Sequence, residues 1–202
     1  MNSNSVDQKY NMVKKHHTDT LQEAIDTKKV DEILVPFLLE VTKIPDIFTS
    51  SSCCGRIMLL ATDEYENKKI SSFHKKYHRK VTFDEIKGDL NASSKRDIWF
   101  KTEAFIFHFG CKNYLKAKEL LAFCQQFGLK KAGIISAHDG KYILEVTSTQ
   151  YMALPLKEND NILVSDDYLK FVIDRANKKI DVNFERLDKF EKAFISFFKK
   201  EK

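Results

Sequence analysis

Apolar residues recur at helical spacing in three parts of the chain. Residues 19–42 predict helix in two pieces, and Asp31 is a suitable N-cap for the second. Residues 113–127 predict a helix that opens on an asparagine cap and ends at Gly128, which suits the position after a helix. Residues 165–199 predict a long helix with a serine cap and two aspartates in its first turn, where they favour the helix dipole.

Strand patterns lie between these helices. Residues 57–61 form a continuous apolar run that predicts a buried strand. Residues 98–110 alternate with a period of two and predict one further strand, with His108 on an apolar face. Residues 132–148 predict a hairpin whose Asp-Gly dipeptide suits a type I′ turn.

The order of these elements predicts an α+β fold, with a mixed, largely antiparallel sheet packed against helices and a long C-terminal helix. We expect a disordered tail over residues 1–18 and a single domain over residues 19–202, which includes the helix at 165–199. The six glycines are too far apart for a Rossmann or P-loop motif, so a glycine-rich nucleotide site is not expected.

Composition narrows the class of protein. No apolar run approaches the ~18 residues of a membrane span, and the polar N-terminus lacks a secretory signal core. The four cysteines include no C-x-x-C pair and no histidine pair completes a zinc pattern, so no metal is expected. A reducing, cytoplasmic location without membrane association follows from these observations.

The net charge of +5 is mild, but its distribution is uneven. The segment Lys68–Lys80 holds six lysines or arginines and two histidines, with no acidic residue among them. Phe73 and Tyr77 are interleaved with these cations. Basic residues mixed with aromatic ones are typical of surfaces that contact RNA phosphates and stack on bases. The alternative is a solvated basic loop.

A second polar segment, residues 49–56, combines four hydroxyls, two thiols, a glycine and an arginine directly before the apolar run at 57–61. Small side chains, backbone N–H groups and a guanidinium suit an anion or another polar ligand. The alternative is a Ser/Thr-rich turn that leads into the strand.

Several short motifs, in this order, resemble the family of tRNA wybutosine-synthesizing protein 3 over about residues 20–198. They are the S-S-C-C-G-R sequence at 51–56, the pair Tyr77-His78 within the basic segment, the K-T-E-A-F-I-F-H strand at 101–108, the L-P-L sequence at 154–156 and the final helix. Two positions depart from the family pattern: Cys54 replaces a serine, and Ala104 replaces a proline.

The resemblance implies an S-adenosylmethionine-dependent RNA methyltransferase of wybutosine biosynthesis. Its implied substrate is the tricyclic 4-demethylwyosine-type base next to the anticodon of phenylalanine tRNA, methylated on the ring nitrogen N4. Two further interpretations remain open from the residues: a non-catalytic RNA-binding module, and a scaffold built on the phenylalanine-rich C-terminal helix.

The resemblance also implies three groups of site residues. The acceptor nitrogen must lose a proton, so Glu103 and His78 are the candidate catalytic groups. The candidate cofactor contacts are Ser51, Ser52, Cys53, Gly55, Arg56 and His108. The candidate tRNA contacts are Lys75, Lys76, Tyr77, Arg79, Trp99 and Lys101.

Ordinary structural roles compete with several of these assignments. Glu103 shares a strand face with Lys101 and would form an ion pair with it. His108 would be a core histidine, and Trp99 would pack in the core rather than stack on a base. Arg56 would be a surface arginine beside a strand.

Overall fold

The computed structural model describes residues 3–65 and 67–199 and divides into two compact units. Unit 1 is formed by Met1–Cys54, Phe105–Thr149 and Arg186–Lys202, and unit 2 by Gly55–Ala104 and Gln150–Glu185. The first two residues of the expected tail and the last three of the expected domain lie outside the described residues.

Both units combine helices with antiparallel strands, which confirms the predicted α+β class and the long C-terminal helix. The helices are α1 Ser3–Asp26, α2 Val35–Thr42, α3 Phe83–Asn91, α4 Tyr114–Gln126 and α5 Asp166–Phe198, with a short 3-10 turn at Glu32–Leu34. The strands are β1 Ile47–Cys53, β2 Arg56–Thr62, β3 Ser72–Tyr77, β4 Asp97–Glu103, β5 Ile106–Cys111, β6 Gly133–His138, β7 Lys141–Thr147, β8 Met152–Glu158 and β9 Asn161–Ile162. None of the described helices has the length and apolar character needed to cross a bilayer.

Unit 1 contains a four-stranded antiparallel sheet in the order β1-β5-β7-β6. On β5, Phe107 and Phe109 are fully buried, whereas Ile106 and His108 are only partly covered. The buried rings pack against phenylalanines of the helices, among them Phe37 of α2. His108 therefore lies on the face opposite the core, which corrects its predicted place on an apolar face.

The single strand predicted over residues 98–110 is wrong: the structure has two strands, β4 and β5, in different sheets. On β4 the buried positions are even-numbered, as at Phe100 and Thr102. On β5 they are odd-numbered, as at Phe107. The change of parity occurs at Ala104 and Phe105, which follow β4 and precede β5 in the sequence and are both buried. The alternation of buried and exposed residues thus shifts by one position between the strands. The shift is not visible in the sequence because the residues around it are also apolar.

The expected N-terminal tail also differs from the structure, because residues 3–18 belong to helix α1. Tyr10 is 1% exposed, and its hydroxyl donates a 3.1 Å hydrogen bond to the carbonyl oxygen of Pro45. Its ring lies 6.0 Å from that of Phe48 on β1. Most residues of α1 are polar, so its few buried residues give only a weak sequence signal for a packed helix.

Unit 2 contains a five-stranded antiparallel sheet in the order β3-β2-β4-β8-β9. Ile57 and Leu59 of β2 and Phe100 of β4 point to one face of this sheet and are fully buried. Residues of α3 and of the first part of α5 cover that face, including Ile86 and Val172. The alternate residues of the same strands form the opposite face of the sheet. The described residues of α3 and α5 in this core cluster pack on the first face and not on this one.

Strands β1 and β3 fall where the sequence indicates loops. Both are edge strands of their sheets, and both are rich in polar residues: β1 includes the hydroxyl-rich segment, and β3 lies within Lys68–Lys80. Edge strands tolerate polar and charged side chains on both faces, so hydropathy patterns miss them.

Glu191 of α5 lies in an apolar groove of about 460 Å³ in unit 1, beside Phe37 and Ile195. Among the described residues, its buried Oε1 has no hydrogen-bond partner. Burial, and next the negative charge of Asp188, raise the pKa of the Glu191 carboxyl from 4.5 to about 7. The folded state therefore keeps a proton that the unfolded chain has released, which makes stability depend on pH.

We expect the free energy of unfolding to fall as pH rises from about 4.5 to about 7, since the unfolded state binds fewer protons over that interval. Glu191→Gln should remove this slope and should be more stable than the wild type at pH 8 by about 1–3 kcal/mol. Urea unfolding of both proteins at several pH values measures the effect. An identical pH dependence in the two proteins would contradict it.

Candidate active site

The face of the unit 2 sheet opposite its core carries a compact set of the predicted site residues. Strand alternation turns Arg56, Met58 and Leu60 of β2 away from the core, because Ile57 and Leu59 point into it. We define the outer face as Arg56, Met58, Leu60, Phe73, Lys76, Trp99, Lys101 and Glu103. Antiparallel pairing of β2 with both β3 and β4 brings these residues side by side.

Arg56 and Glu103 lie directly opposite each other on β2 and β4 and form an ion pair. The Arg56 Nε and Nη2 atoms lie 2.8 and 2.6 Å from the same oxygen, Glu103 Oε2. Within the described residues, no donor contacts Glu103 Oε1, and the side chain is 36% exposed. Arg56 is thus the partner of Oε2, and one carboxylate oxygen remains available to a ligand.

Aromatic rings on the outer face lie beneath cations. The guanidinium carbon of Arg56 lies 4.7 Å from the ring centre of Phe73, and Lys76 Nζ lies 5.6 Å from it. Lys101 Nζ lies 5.7 Å from the ring of Trp99. Trp99 is therefore at the surface of the sheet and not in the core. Phe73, which received no individual role from the sequence, is 49% exposed and orients Arg56.

A pocket of about 370 Å³ opens on the outer face. Met58, Leu60 and Phe73 provide apolar walls, and Lys101 and Glu103 provide charges of opposite sign. The volume lies at the lower end of the range for small-molecule sites, which is about 300–1,000 Å³. A pocket of this size and lining suits a planar heterocycle held by stacking and by a few polar contacts.

Three of the predicted tRNA contacts lie elsewhere, beside acidic residues of α3. The hydroxyl of Tyr77 donates a short hydrogen bond to Asp89, and Lys75 Nζ lies 3.8 Å from the same carboxylate. Arg79 Nη2 lies 2.6 Å from Glu85, at the N-terminus of α3. These partners offset the positive charge of this side of β3. The basic segment is therefore divided, and Lys76 belongs to the outer face.

His78 and Gly55 are neighbours in unit 2. His78 Nδ1 lies 3.2 Å from the carbonyl oxygen of Gly55. Gly55 has φ = 95°, a conformation that a side chain would strain, and it directly precedes β2. The glycine thus allows the turn that places Arg56 at the start of the strand.

In unit 1, Ser51, His108 and Glu145 form a row across β1, β5 and β7, since each is the register partner of the next. His108 Nε2 lies 3.0 Å from Glu145 Oε2. Side chains directly opposite in a sheet share one face, so the hydroxyl, imidazole and carboxylate point to the same side. His108 has a polar partner and is not a core histidine.

Cys54, where the family pattern has serine, is buried and 1% exposed. Its backbone N–H donates a 2.8 Å hydrogen bond to Asp31 Oδ2. Burial, followed by the charge of Asp31, raises the pKa of the Cys54 thiol far above its usual range. A neutral, buried thiol is a poor nucleophile, so this position has a packing role.

Comparison with known proteins places this geometry in a family. The sequence matches the model described as Methyltransferase TYW3 over residues 7–196. The chain belongs to this family of methyltransferases. The resemblance stated from the motifs is confirmed, and so is the assignment as an enzyme rather than a binding module or scaffold. The match begins at residue 7 and so includes residues 7–18 of the segment expected to be a tail.

Relatives and solved structures agree with this membership. A Pyrococcus furiosus protein named tRNA(Phe) 7-((3-amino-3-carboxypropyl)-4-demethylwyosine(37)-N(4))-methyltransferase 1 is 31% identical over 182 residues, which cover 90% of this chain and 93% of that protein. A Methanocaldococcus jannaschii methyltransferase of the same description is 32% identical over 168 residues, covering 83% and 87% of the two chains. The structure of the PH1069 protein from Pyrococcus horikoshii superimposes with a TM-score of 0.86 at 28% identity, covering 95% of this chain and 97% of that one.

Proposed function

We propose that this member of the TYW3 family transfers a methyl group from S-adenosylmethionine to N4 of a 4-demethylwyosine-type base next to the anticodon of phenylalanine tRNA. Family membership and the names of the relatives support the reaction class and the substrate. The observation that carries the proposal is the pocket on the outer face, where a carboxylate with an available oxygen lies near the exposed ring of Phe73 and several cations.

The outer face suits a base from a single-stranded loop. An extruded base can stack on the exposed ring of Phe73 or on Trp99, and each such stack is worth about 1–3 kcal/mol. Lys76 and Lys101 lie beside those rings and can contact the flanking phosphates. A bulky base in an anticodon loop is unpaired, so its extrusion costs less than that of a paired base.

Glu103 is the proposed general base. Its Oε2 atom is fixed by Arg56, which leaves Oε1 to accept the proton that N4 loses as the methyl group is transferred. Arg56 acts through Glu103 and is a positioning residue in this scheme. Phe73 in turn supports the guanidinium of Arg56 from one side. His78 remains the second candidate for proton transfer.

S-adenosylmethionine supplies an electrophilic methyl group on a sulfonium centre. Its polar amino-acid and ribose groups need hydrogen-bond donors and acceptors, and the row of Ser51, His108 and Glu145 provides both. Ser52 and Cys53, which follow Ser51 on β1, complete the proposed cofactor contacts in this unit. The side-chain chemistry present therefore fits the cofactor.

A transfer assay tests the proposal directly. The protein is incubated with labelled S-adenosylmethionine and phenylalanine tRNA that lacks only this methyl group, and the tRNA is digested to nucleosides. We expect label in one wyosine-type nucleoside. Fully modified tRNA is the control and should accept no label. Absence of transfer to the unmethylated tRNA would reject the proposed reaction.

We further expect the outer face, and not the α3 side of β3, to provide the main electrostatic contacts with tRNA. Lys68 lines the pocket on the outer face. Neutralising Lys68, Lys76 and Lys101 to glutamine should weaken tRNA binding by at least about tenfold and reduce the salt slope by about 2, at about 0.7 per phosphate contact. The matched triple variant carries glutamine at Lys75, Arg79 and Lys80. It loses the same charge, but its three cations lie beside carboxylates of α3 and α5 that would repel an RNA phosphate, so its effect should be small.

Filter binding or fluorescence anisotropy at several salt concentrations measures both slopes. Equal losses in the two triple variants would show that position on the sheet does not matter. An unchanged slope in the outer-face variant would reject its role as the RNA contact.

A further inference from the structure

A second pocket, of about 200 Å³, lies in unit 1 between α1 and the hydroxyl-rich part of β1. On α1, His17, Thr20, Leu21 and Ala24 line it, and they recur at helical spacing on one face. Lys29, which follows α1, and Ser50–Ser52 of β1 complete the polar part of the lining. Neither the family motifs nor the proposed reaction gives a role to the residues from α1.

The polar groups of this pocket lack partners within the described part of the chain. No side-chain hydrogen bond or ion pair involves the hydroxyls of Thr20 and Ser50–Ser52 or the ammonium of Lys29 there. Strand β1 is also the edge of its sheet, so its outer backbone groups are not paired with another strand. Hydroxyls, backbone N–H groups and an ammonium are all hydrogen-bond donors, and together they form a site for an acceptor.

The charge of the pocket has one sign. None of its lining residues is acidic. His17 stacks on Phe48 at 4.7 Å with an interplanar angle of 10°, which fixes the imidazole in the wall. Burial, then the positive charges of Lys141 and His16, lower the pKa of His17. A positive potential and several donors favour an anion over a neutral ligand.

Size restricts the anion. A volume of about 200 Å³ is below the usual range of about 300–1,000 Å³ for sites that enclose a whole small-molecule ligand. It accommodates a phosphate or a carboxylate with a short stem. A complete nucleoside-containing cofactor would extend well outside it.

We propose that this pocket binds an oxyanion, with Lys29 as the counter-charge and the hydroxyls of Thr20 and Ser51 as donors. If the proposed function holds, two of its components carry such a group: a backbone phosphate of the tRNA and the amino-acid carboxylate of S-adenosylmethionine. The site makes α1 part of the ligand-binding machinery, a role that the predicted tail over residues 1–18 and the predicted helix from residue 19 did not include.

Titration of the isotope-labelled full chain with inorganic phosphate tests the site without any enzymatic readout. We expect saturable shifts of the amide signals of Lys29 and Ser50–Ser52. Lys29→Gln should weaken phosphate binding at least fivefold, and Ser51→Ala should weaken it less. Lys28→Gln is the matched control, because it removes the same charge one residue away from the lining; it should stay within twofold of the wild type. Lack of saturation, or equal weakening by both lysine variants, would overturn the proposal.

Two further measurements identify the source of the oxyanion. If it is the cofactor carboxylate, Lys29→Gln weakens binding of S-adenosylmethionine but not of methylthioadenosine, which lacks the amino-acid group. If it is an RNA phosphate, Lys29→Gln lowers the salt slope of tRNA binding by about 0.7 and leaves cofactor binding unchanged. If neither changes, the phosphate seen in the titration is an adventitious ion only, and the inference fails.

The outcomes also separate this inference from the proposed function. If the wild-type protein methylates tRNA but phosphate does not shift these amide signals, the proposed function holds and the inference about the pocket is rejected. If the protein binds phosphate there with the expected effect of Lys29→Gln but transfers no methyl group, the inference about the pocket holds and the proposed reaction is rejected.

Discussion

Replacing Glu103 with glutamine is expected to lower the rate of methyl transfer by about 10²–10⁴-fold, the usual contribution of a positioned general base. The amide oxygen of glutamine can still accept a hydrogen bond from Arg56, so the geometry of the pair is preserved. What the variant loses is the negative charge and the basicity of the atom that faces the pocket. The affinity for tRNA should be retained, because no positive charge is removed from the outer face.

Single-turnover transfer at saturating tRNA, measured over a range of pH, separates catalysis from positioning. If Glu103 is the base, Glu103→Gln slows the transfer step itself at every pH and leaves the tRNA concentration needed for saturation unchanged. Glu158→Gln on β8 is a matched control that removes an exposed carboxylate from the same sheet. A Glu103→Gln rate within threefold of the wild type would mean that the pair with Arg56 is structural.

The helices and the hairpin could be predicted from sequence because each buries one regular face. The first half of α5 buries Leu169, Val172 and Ala176 at helical spacing, and β6 and β7 are joined by the expected two-residue Asp-Gly turn. The turn differs in detail, since Gly140 has φ = 75° but Asp139 does not have positive φ, which a type I′ turn requires at both positions. Regular periodicity thus fixed the elements and left the local geometry open.

The predictions of strands failed where a segment is held in its sheet by backbone pairing with a distant strand and not by its own apolar residues. The S-S-C-C-G-R motif suggests a loop, yet its first half is the strand β1, held by backbone pairing with β5. The parity change at Ala104 divides one apparent strand between two sheets. Neither feature can be seen in the hydropathy of a single sequence, because both depend on which distant segment pairs with the strand.

The sequence predicts which residue types form the candidate site, but not which of these residues lie together on one face of the sheet. Lys75 and Lys76 are adjacent in sequence and were assigned the same role, but strand alternation sends them to opposite faces of β3. The partnership of Arg56 with Glu103 is likewise a consequence of register between β2 and β4. Forty-six residues separate the two along the chain, so no local pattern could have indicated it.

Phe190→Ala is expected to have the largest effect on stability, at a cost of about 3–5 kcal/mol in the free energy of unfolding. The side chain is fully buried in unit 1. Its ring lies 5.8 Å from that of Phe107 on β5, 6.0 Å from Phe123 on α4 and 6.3 Å from Phe37 on α2. Removing it leaves a cavity among rings that belong to three different elements, so collapse of any one element cannot fill the space.

Urea unfolding at pH 7 compares this variant with Phe171→Ala, which removes the same side chain from a position on α5 that is 53% exposed. The control should cost less than about 1 kcal/mol, because its ring is already half in water. Backbone amides of α2, α4 and β5 should all exchange faster in Phe190→Ala, since the lost ring contacts all three. Equal costs for the two variants would show that the aromatic cluster is loosely packed, and faster exchange confined to α5 would show that Phe190 does not couple the other elements.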